Sequence, residues 1–96
     1  MPRAIVLHPS DNVATLIDAA TAGQACRLQG EASGEVRART AIPFGHKICV
    51  KPVAPGGDVL KYGQVIGRAT AAIAPGAHVH AHNVESNRAR GDRAKE

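Results

Sequence analysis

Apolar residues along this chain occur in short bursts that are separated by glycine, proline and polar residues. The bursts contain four to six residues and span 4–7, 13–17, 25–28, 36–40, 46–50, 58–62, 65–70 and 79–84. Short bursts that recur about every ten residues, with turn-forming residues between them, are typical of strands in a small all-β domain. The pattern therefore predicts an all-β fold with only minor helical turns.

One stretch, residues 11–22, has helical features, because Asp11 or Asn12 is a good N-cap and alanine is abundant. Its first half is rich in β-branched residues, which favour a strand, and Gly23 ends the run early. We therefore expect a strand there, followed by a single helical turn at residues 18–21.

Three segments share a faint internal repeat, and a fourth reads as a hairpin. Residues 20–25, 53–59 and 73–79 each place an apolar residue before Ala or Pro, then Gly, then a return to a strand. Proline fixes φ and glycine accepts a positive φ, so each copy predicts a sharp corner that leads into a strand. Residues 27–37 predict a hairpin with a glycine-containing tip.

The composition limits the core. The chain has 96 residues and 9.9 kDa, which makes one small domain. Aromatic residues are only 2%, a single Phe44 and a single Tyr62, so the core must be built from Ala, Val, Ile and Leu, with Tyr62 a candidate to fill it. Stacking platforms for single-stranded nucleic acid are therefore excluded. Cys26 and Cys49 lie in apolar runs without a Cys-x-x-Cys pattern and are expected to be reduced, buried thiols.

Charge and hydropathy exclude further classes. The net charge of +4 owes much to the last nine residues, so we expect a domain at 1–85 and a flexible charged tail at 86–96. The sequence has neither helix-turn-helix patterning nor zinc-finger spacing, so no nucleic-acid partner is expected. It also lacks the ~20 apolar residues of a membrane span and the apolar length of a signal peptide, so no membrane partner and a cytoplasmic location are expected.

The strongest candidate for a functional site is the triplet His78, His80 and His82. Side chains alternate along a strand, so these three rings would share one face at intervals of roughly 6.5–7 Å. Neutral imidazole is a common metal ligand, and either neighbouring pair suits a borderline divalent ion such as Fe²⁺, Mn²⁺ or Zn²⁺. The alternative is an exposed histidine-rich edge strand that resists pairing with other chains through its polarity.

Other polar clusters are weaker signals. The run from His8 to Asn12 is compatible with a simple turn after Pro9, and His46 follows Gly45 at the mouth of a strand. The chain has no nucleophile elbow, P-loop or dinucleotide fingerprint, and its acidic residues are scattered. A complete hydrolase is therefore not encoded in these residues.

Taken together, four motifs resemble the small N-terminal SAF module, a β-clip fold, of the altronate and galactarate dehydratase family, to which the sulfolactate sulfo-lyase small subunit is related. They occur in order along residues 4–84 and read His-Pro-x-Asp-Asn-Val-Ala from residue 8, Gly-His-Lys from 45, Lys-Tyr-Gly-Gln-Val-Ile-Gly from 61 and His-Val-His-x-His-Asn from 78. The resemblance implies a lyase component that works with a divalent metal, typically iron or manganese.

The resemblance also implies roles for individual residues. Three candidates for metal ligands are His78, His80 and His82. The candidates for catalysis are His78, His80 and His46. The candidates for substrate binding are Asn83, Lys47, Lys61 and Tyr62. No strong base stands near the histidines in the sequence, so the resemblance assigns proton abstraction from the α-carbon of a sugar acid to another polypeptide.

Fused members of the family continue into a large catalytic domain, whereas this sequence ends at Glu96. The resemblance therefore implies a separate large catalytic subunit, a sugar-acid substrate and no activity of the isolated chain, and it leaves a homo-oligomer open. The first hypothesis is the small subunit of an altronate- or galactarate-type dehydratase. The alternatives are the small subunit of a sulfolactate sulfo-lyase and a non-catalytic module that binds sugar acids or metal.

Overall fold

The structure, a computed structural model, describes residues 1–86, which form nine short strands and no helix. The strands are β1 (Arg3–Val6), β2 (Val13–Leu16), β3 (Ala25–Gly30), β4 (Glu35–Arg37), β5 (Lys47–Cys49), β6 (Asp58–Lys61), β7 (Gln64–Ala69), β8 (His78–Val79) and β9 (Val84–Ser86). The prediction of an all-β fold is confirmed. Over the same residues, nothing helical exists that has the length and apolarity to cross a membrane.

The strands form two sheets. The larger sheet has the order β4-β3-β1-β2-β5-β8, and the smaller has the order β6-β7-β9. All pairs are antiparallel except β1 with β3, and the predicted hairpin of residues 27–37 is confirmed by the β3–β4 pair. One apolar cluster lies within the larger sheet, and a second, which includes Val13, Val59 and Val79, packs the two sheets together.

Four corners of the same geometry connect these strands, one more than the sequence repeat predicted. Each begins with a bridge residue, which pairs with the bridge residue of another corner (Ala20 with Ile42, and Val53 with Ile73), and turns at a glycine that has a φ between 79° and 91°. In each corner the N–H of the glycine donates to a carbonyl that is distant in sequence, and the N–H of the next residue donates to the carbonyl three residues before it. The corners span residues 20–25, 42–47, 53–58 and 73–78.

The chain before β2 ties the smaller sheet to the larger one. The carboxylate of Asp11, which is fully buried, accepts hydrogen bonds from the backbone N–H groups of Tyr62 (3.0 Å) and Gly63 (2.8 Å). The side chain of Asn12 donates to the carbonyl of Asp58 (2.9 Å) and accepts from the N–H of Leu60 (2.8 Å). These contacts fix the β6–β7 hairpin against β2, so the polar run that looked like a simple turn has a long-range role.

Two predictions about local structure are wrong. Residues 18–21 form no helical turn, because Asp18 pairs with the Arg3 side chain at 2.8 Å and Ala20 enters the bridge of the first corner. The last apolar burst is not one strand, because β8 ends at Val79 and the chain turns before β9 begins. The first difference comes from long-range contacts that local propensity does not report, and the second comes from a turn held by the Asn83 side chain.

Cys26 and Cys49 are free and buried, as expected, and burial raises the pKa of the Cys49 thiol to about 11. The expectation that Tyr62 fills the core is wrong, since this side chain is 64% exposed. The charged tail expected at residues 86–96 lies, except for Ser86, outside the described residues.

We expect replacement of Asp11 by Ala to lower the free energy of unfolding by about 2–4 kcal/mol, because two buried N–H groups lose a charged acceptor. Urea denaturation measures the change. Asp18→Ala, which removes an exposed carboxylate, is the matched control and should cost much less. Equal losses for the two variants would contradict the role given to Asp11.

Candidate metal centre

Two of the four corners bring histidine side chains close to one another. The corner at residues 42–47 places His46 directly before β5, and the corner at 73–78 places His78 at the start of β8. These strands pair antiparallel with Ile48 opposite His78 and Lys47 opposite Val79. The non-local pairing of β5 with β8 therefore brings His46 to His78, and the turn that follows Val79 adds His80.

The three imidazole rings lie against one another. The centroid of the His46 ring is 5.1 Å from that of His78 and 4.5 Å from that of His80, and the His78 and His80 centroids are 5.4 Å apart. Nδ1 of His46 lies 2.9 Å from Nε2 of His78, a hydrogen-bond distance at which one of the two nitrogens must carry the proton. One ring nitrogen from each of the three lies within 4.8 Å of the others.

This arrangement fits a divalent metal ion. Ligand nitrogens on one ion lie roughly 3–4 Å apart, given metal–nitrogen distances of about 2.1 Å. The His46 and His78 nitrogens already approach this spacing, and small side-chain rotations would bring in His80. Because His46 and His78 are partly buried while His80 is exposed, the three rings leave one side of the group open to solvent. Open coordination positions of this kind are a feature of catalytic metal sites.

The turn after β8 sets the position of His80, and Asn83 holds that turn. The side-chain oxygen of Asn83 accepts from the N–H of His80 (3.0 Å), and its amide nitrogen donates to the carbonyl of His78 (2.9 Å). Asn83 and Val84 also donate their backbone N–H groups to the carbonyl of His80. Both polar atoms of the Asn83 side chain, which was predicted to bind substrate, are thus hydrogen-bonded within the chain. There they position His78 and His80.

The expectation that His78, His80 and His82 share one face of a strand is wrong, because the strand ends at Val79. His82 lies beside the group rather than in it, with its ring tilted by 48° against that of His78 and the centroids 5.4 Å apart. The described residues place His46, not His82, with His78 and His80. The repeat of corners is the sequence signal for His46, because Gly45 and His46 occupy the glycine position and the next position of a fourth copy.

The environment of His78 disfavours its charged form. Burial is the main cause that lowers the pKa of His78, and the neighbouring His46, His82 and His80 add to it. A neutral ring has a nitrogen lone pair available for a metal ion, so the same surroundings that oppose protonation favour coordination.

The two predicted substrate-binding lysines lie near each other. Burial lowers the pKa of Lys47 on β5, and the positive charge of Lys61 at the end of β6 lowers it further. Nζ of Lys61 is 5.9 Å from the centroid of the Tyr62 ring. Tyr62 and Gly63 form the two-residue turn between β6 and β7 with φ values of 59° and 71°. A left-handed conformation is uncommon for tyrosine, and the bonds to Asp11 stabilise it here.

Comparison with known proteins gives consistent matches. The family model for the altronate/galactarate dehydratase SAF domain matches residues 2–87. Altronate dehydratase of Escherichia coli is 39% identical over 83 residues, which are 86% of this chain and 16% of that enzyme. Altronate dehydratase of Bacillus subtilis is 30% identical over 87 residues, which are 91% of this chain and 17% of that enzyme.

A further relative has a similar length to this chain. The (2R)-sulfolactate sulfo-lyase subunit alpha of Chromohalobacter salexigens is 32% identical over 88 residues, which cover 86% of this chain and 94% of that subunit. The chain therefore spans less than a fifth of the altronate dehydratases that it matches but nearly all of this subunit.

We expect the ring of His78 to titrate below 6.5, its usual pKa, in chelator-treated protein. Because the folded chain then binds this proton less readily than the unfolded chain, the associated stability is present above about pH 6.5 and is lost as the pH falls towards the lowered pKa. Titration of the ring resonances by NMR, with His78→Gln for assignment, gives the midpoint. A midpoint at or above 6.5 would contradict the environment described.

Proposed function

The chain belongs to the altronate/galactarate dehydratase SAF domain family, and from that premise we propose that it is the small component of a metal-dependent lyase that eliminates water from a sugar acid. Family membership and an all-β SAF fold were both expected from the four sequence motifs and are confirmed. The catalytic machinery beyond this domain belongs, in the proposal, to a separate and larger dehydratase-like chain in the cytoplasm. The free thiols of Cys26 and Cys49 support a reducing compartment.

The observation that carries the proposal is the convergence of His46, His78 and His80. In this proposal the three imidazoles hold one divalent ion, Fe²⁺ or Mn²⁺, on the face that the larger chain covers. Such an ion supplies Lewis-acid stabilisation of the negative charge that develops on a sugar-acid carboxylate when its α-proton is removed. The His82 ring lies beside that of His78 but does not belong to the group. We assign to it the transfer of a proton at the edge of the site.

Lys47 and Lys61 have a separate role in the proposal. Burial first, and then the positive charge of Lys61, lower the pKa of Lys47, so an anionic ligand between the two lysines would favour the charged form of both. We assign them to the carboxylate or the remote hydroxyl groups of the sugar acid, with the exposed Tyr62 hydroxyl beside them. Asn83 acts through the histidines that it positions.

A second candidate is the small subunit of a sulfolactate sulfo-lyase. The supporting observation is that the similarity to the C. salexigens subunit alpha, 32% identity, extends over 94% of that subunit. Both candidates use the same histidine group, and they differ in the leaving group, which is hydroxide in one and sulfite in the other. A non-catalytic module that binds metal or sugar acid is the remaining alternative.

The metal ligands are tested by Mn²⁺ titration of the chelator-treated chain. We expect His46→Ala, His78→Ala and His80→Ala each to weaken binding by at least ~tenfold, because each removes a ligand. His82→Ala and His8→Ala are matched controls and should stay within about twofold, since neither ring belongs to the group. A loss with His82→Ala equal to that with His46→Ala would contradict the assignment of His46.

The reaction is tested by exchange into two relatives. This chain replaces the matching segment of E. coli altronate dehydratase, and in a second preparation it replaces subunit alpha of the C. salexigens sulfo-lyase. We expect dehydration of altronate by the first hybrid, and a loss of ~100-fold or more in kcat with His78→Ala. Sulfite release only from the second hybrid would favour the sulfo-lyase. Inactivity of both hybrids with intact Mn²⁺ binding would favour the non-catalytic module.

A further inference from the structure

The only phenylalanine of the chain is on the surface. Phe44 is 70% exposed, although the core of the described residues contains no aromatic side chain and is built from small aliphatic ones. Burying such a ring is among the larger favourable contributions available to a domain of this size. Single exposed apolar residues are ordinary on protein surfaces, so exposure alone does not mark a binding site.

The four corners provide an internal comparison for that position. The residue directly before the glycine is Phe44 in the corner at 42–47, and the equivalent residues of the other corners are Ala22, Pro55 and Pro75. All four corners have the same hydrogen bonds and the same glycine conformation. The turn therefore accepts a small residue here, and its geometry does not account for an aromatic ring.

The backbone that carries Phe44 is fixed on both sides. Ile42, two residues before it, is buried and exchanges two hydrogen bonds of 2.9 Å with Ala20. After it, the N–H of Gly45 donates to the carbonyl of Leu16 (2.9 Å), and the N–H of His46 closes the turn onto the carbonyl of Pro43 (3.2 Å). A ring presented from an ordered turn loses little conformational entropy when another surface covers it.

The two segments that supply the histidine group carry no charged residue apart from their histidines. Residues 40–46 contain no Asp, Glu, Lys or Arg, and the same is true of residues 69–84, the longest such stretch of the chain. Within them, Pro43 and Phe44 are exposed apolar residues three and two positions before His46, and the exposed Ala81 directly follows His80. Depletion of charge together with an exposed aromatic ring is characteristic of the centre of a protein–protein interface.

We infer that Phe44 is the anchor by which the larger catalytic polypeptide docks on this domain and closes over the histidine group. This inference rests on the proposed function, which identifies the binding partner as the larger catalytic polypeptide. It is supported by the comparisons, because a domain that makes up 16% of E. coli altronate dehydratase is accompanied there by much more polypeptide. Phe44 and His46 belong to the same ordered corner, so the interface that we infer includes the segment that supplies His46.

The test measures binding of the intact chain to the C. salexigens sulfo-lyase from which subunit alpha has been removed. We expect Phe44→Ala to weaken the affinity by about 30-fold, as for an interface hot spot, and Phe44→Leu to recover part of it. Pro55→Ala changes the equivalent position of a corner that holds no histidine and is the matched control. It should leave the affinity within about threefold.

Two further measurements separate docking from folding and from metal binding. The thermal midpoint and the Mn²⁺ affinity of Phe44→Ala should match those of the unmodified chain, because the side chain is exposed and Ala occupies the equivalent position at residue 22. Hydrogen exchange in the complex should slow at residues 40–46 and not at residues 29–34.

The outcomes distinguish the two proposals. Equal binding of the unmodified chain and Phe44→Ala would overturn the anchor and leave the proposed function intact. Failure of the unmodified chain to bind, together with inactivity of both hybrid enzymes, would overturn the proposed function and the anchor with it. A lower Mn²⁺ affinity for Phe44→Ala would also contradict the anchor, because the ring would then act on the histidine group itself.

Discussion

The buried side chains of Asp11 and Asn12 set the position of one sheet on the other. The apolar cluster between the sheets supplies cohesion, but aliphatic contacts are non-directional and do not define a register. Four hydrogen bonds from two adjacent residues to backbone groups of residues 58–63 provide that direction. Since β7 pairs with β9, the same contacts determine where the chain re-enters the smaller sheet after the turn that carries His80.

The histidine group is consequently a product of two independent constraints. Pairing of β5 with β8 in the larger sheet sets His46 against His78. The turn held by Asn83, which joins β8 to β9 and so bridges the two sheets, sets His80. Binding of one metal ion by all three rings would therefore require that the two sheets are correctly positioned relative to each other.

Sequence patterns predicted those features that depend on neighbouring residues. Alternation and turn residues located most strands, and the Pro-Gly corners were visible because residues 53–59 and 73–79 resemble each other closely. The repeat does not extend to the corner at 42–47, because Phe44 stands where the other three copies have Ala or Pro before the glycine. His78 and His80, both predicted metal ligands, lie together in the structure. The presence of His46 rather than His82 beside them depends on strand pairing across some thirty residues, which no local pattern encodes.

The central proposal is that one divalent ion is bound by three histidines from two separate parts of the chain, His46 in one and His78 with His80 in the other. Crystals of the chain grown with Mn²⁺ and measured at the manganese absorption edge test it directly. The account predicts a single strong anomalous peak within coordination distance of ring nitrogens of His46, His78 and His80. A peak on other side chains, or rings of these three residues that point apart with no peak between them, would contradict it.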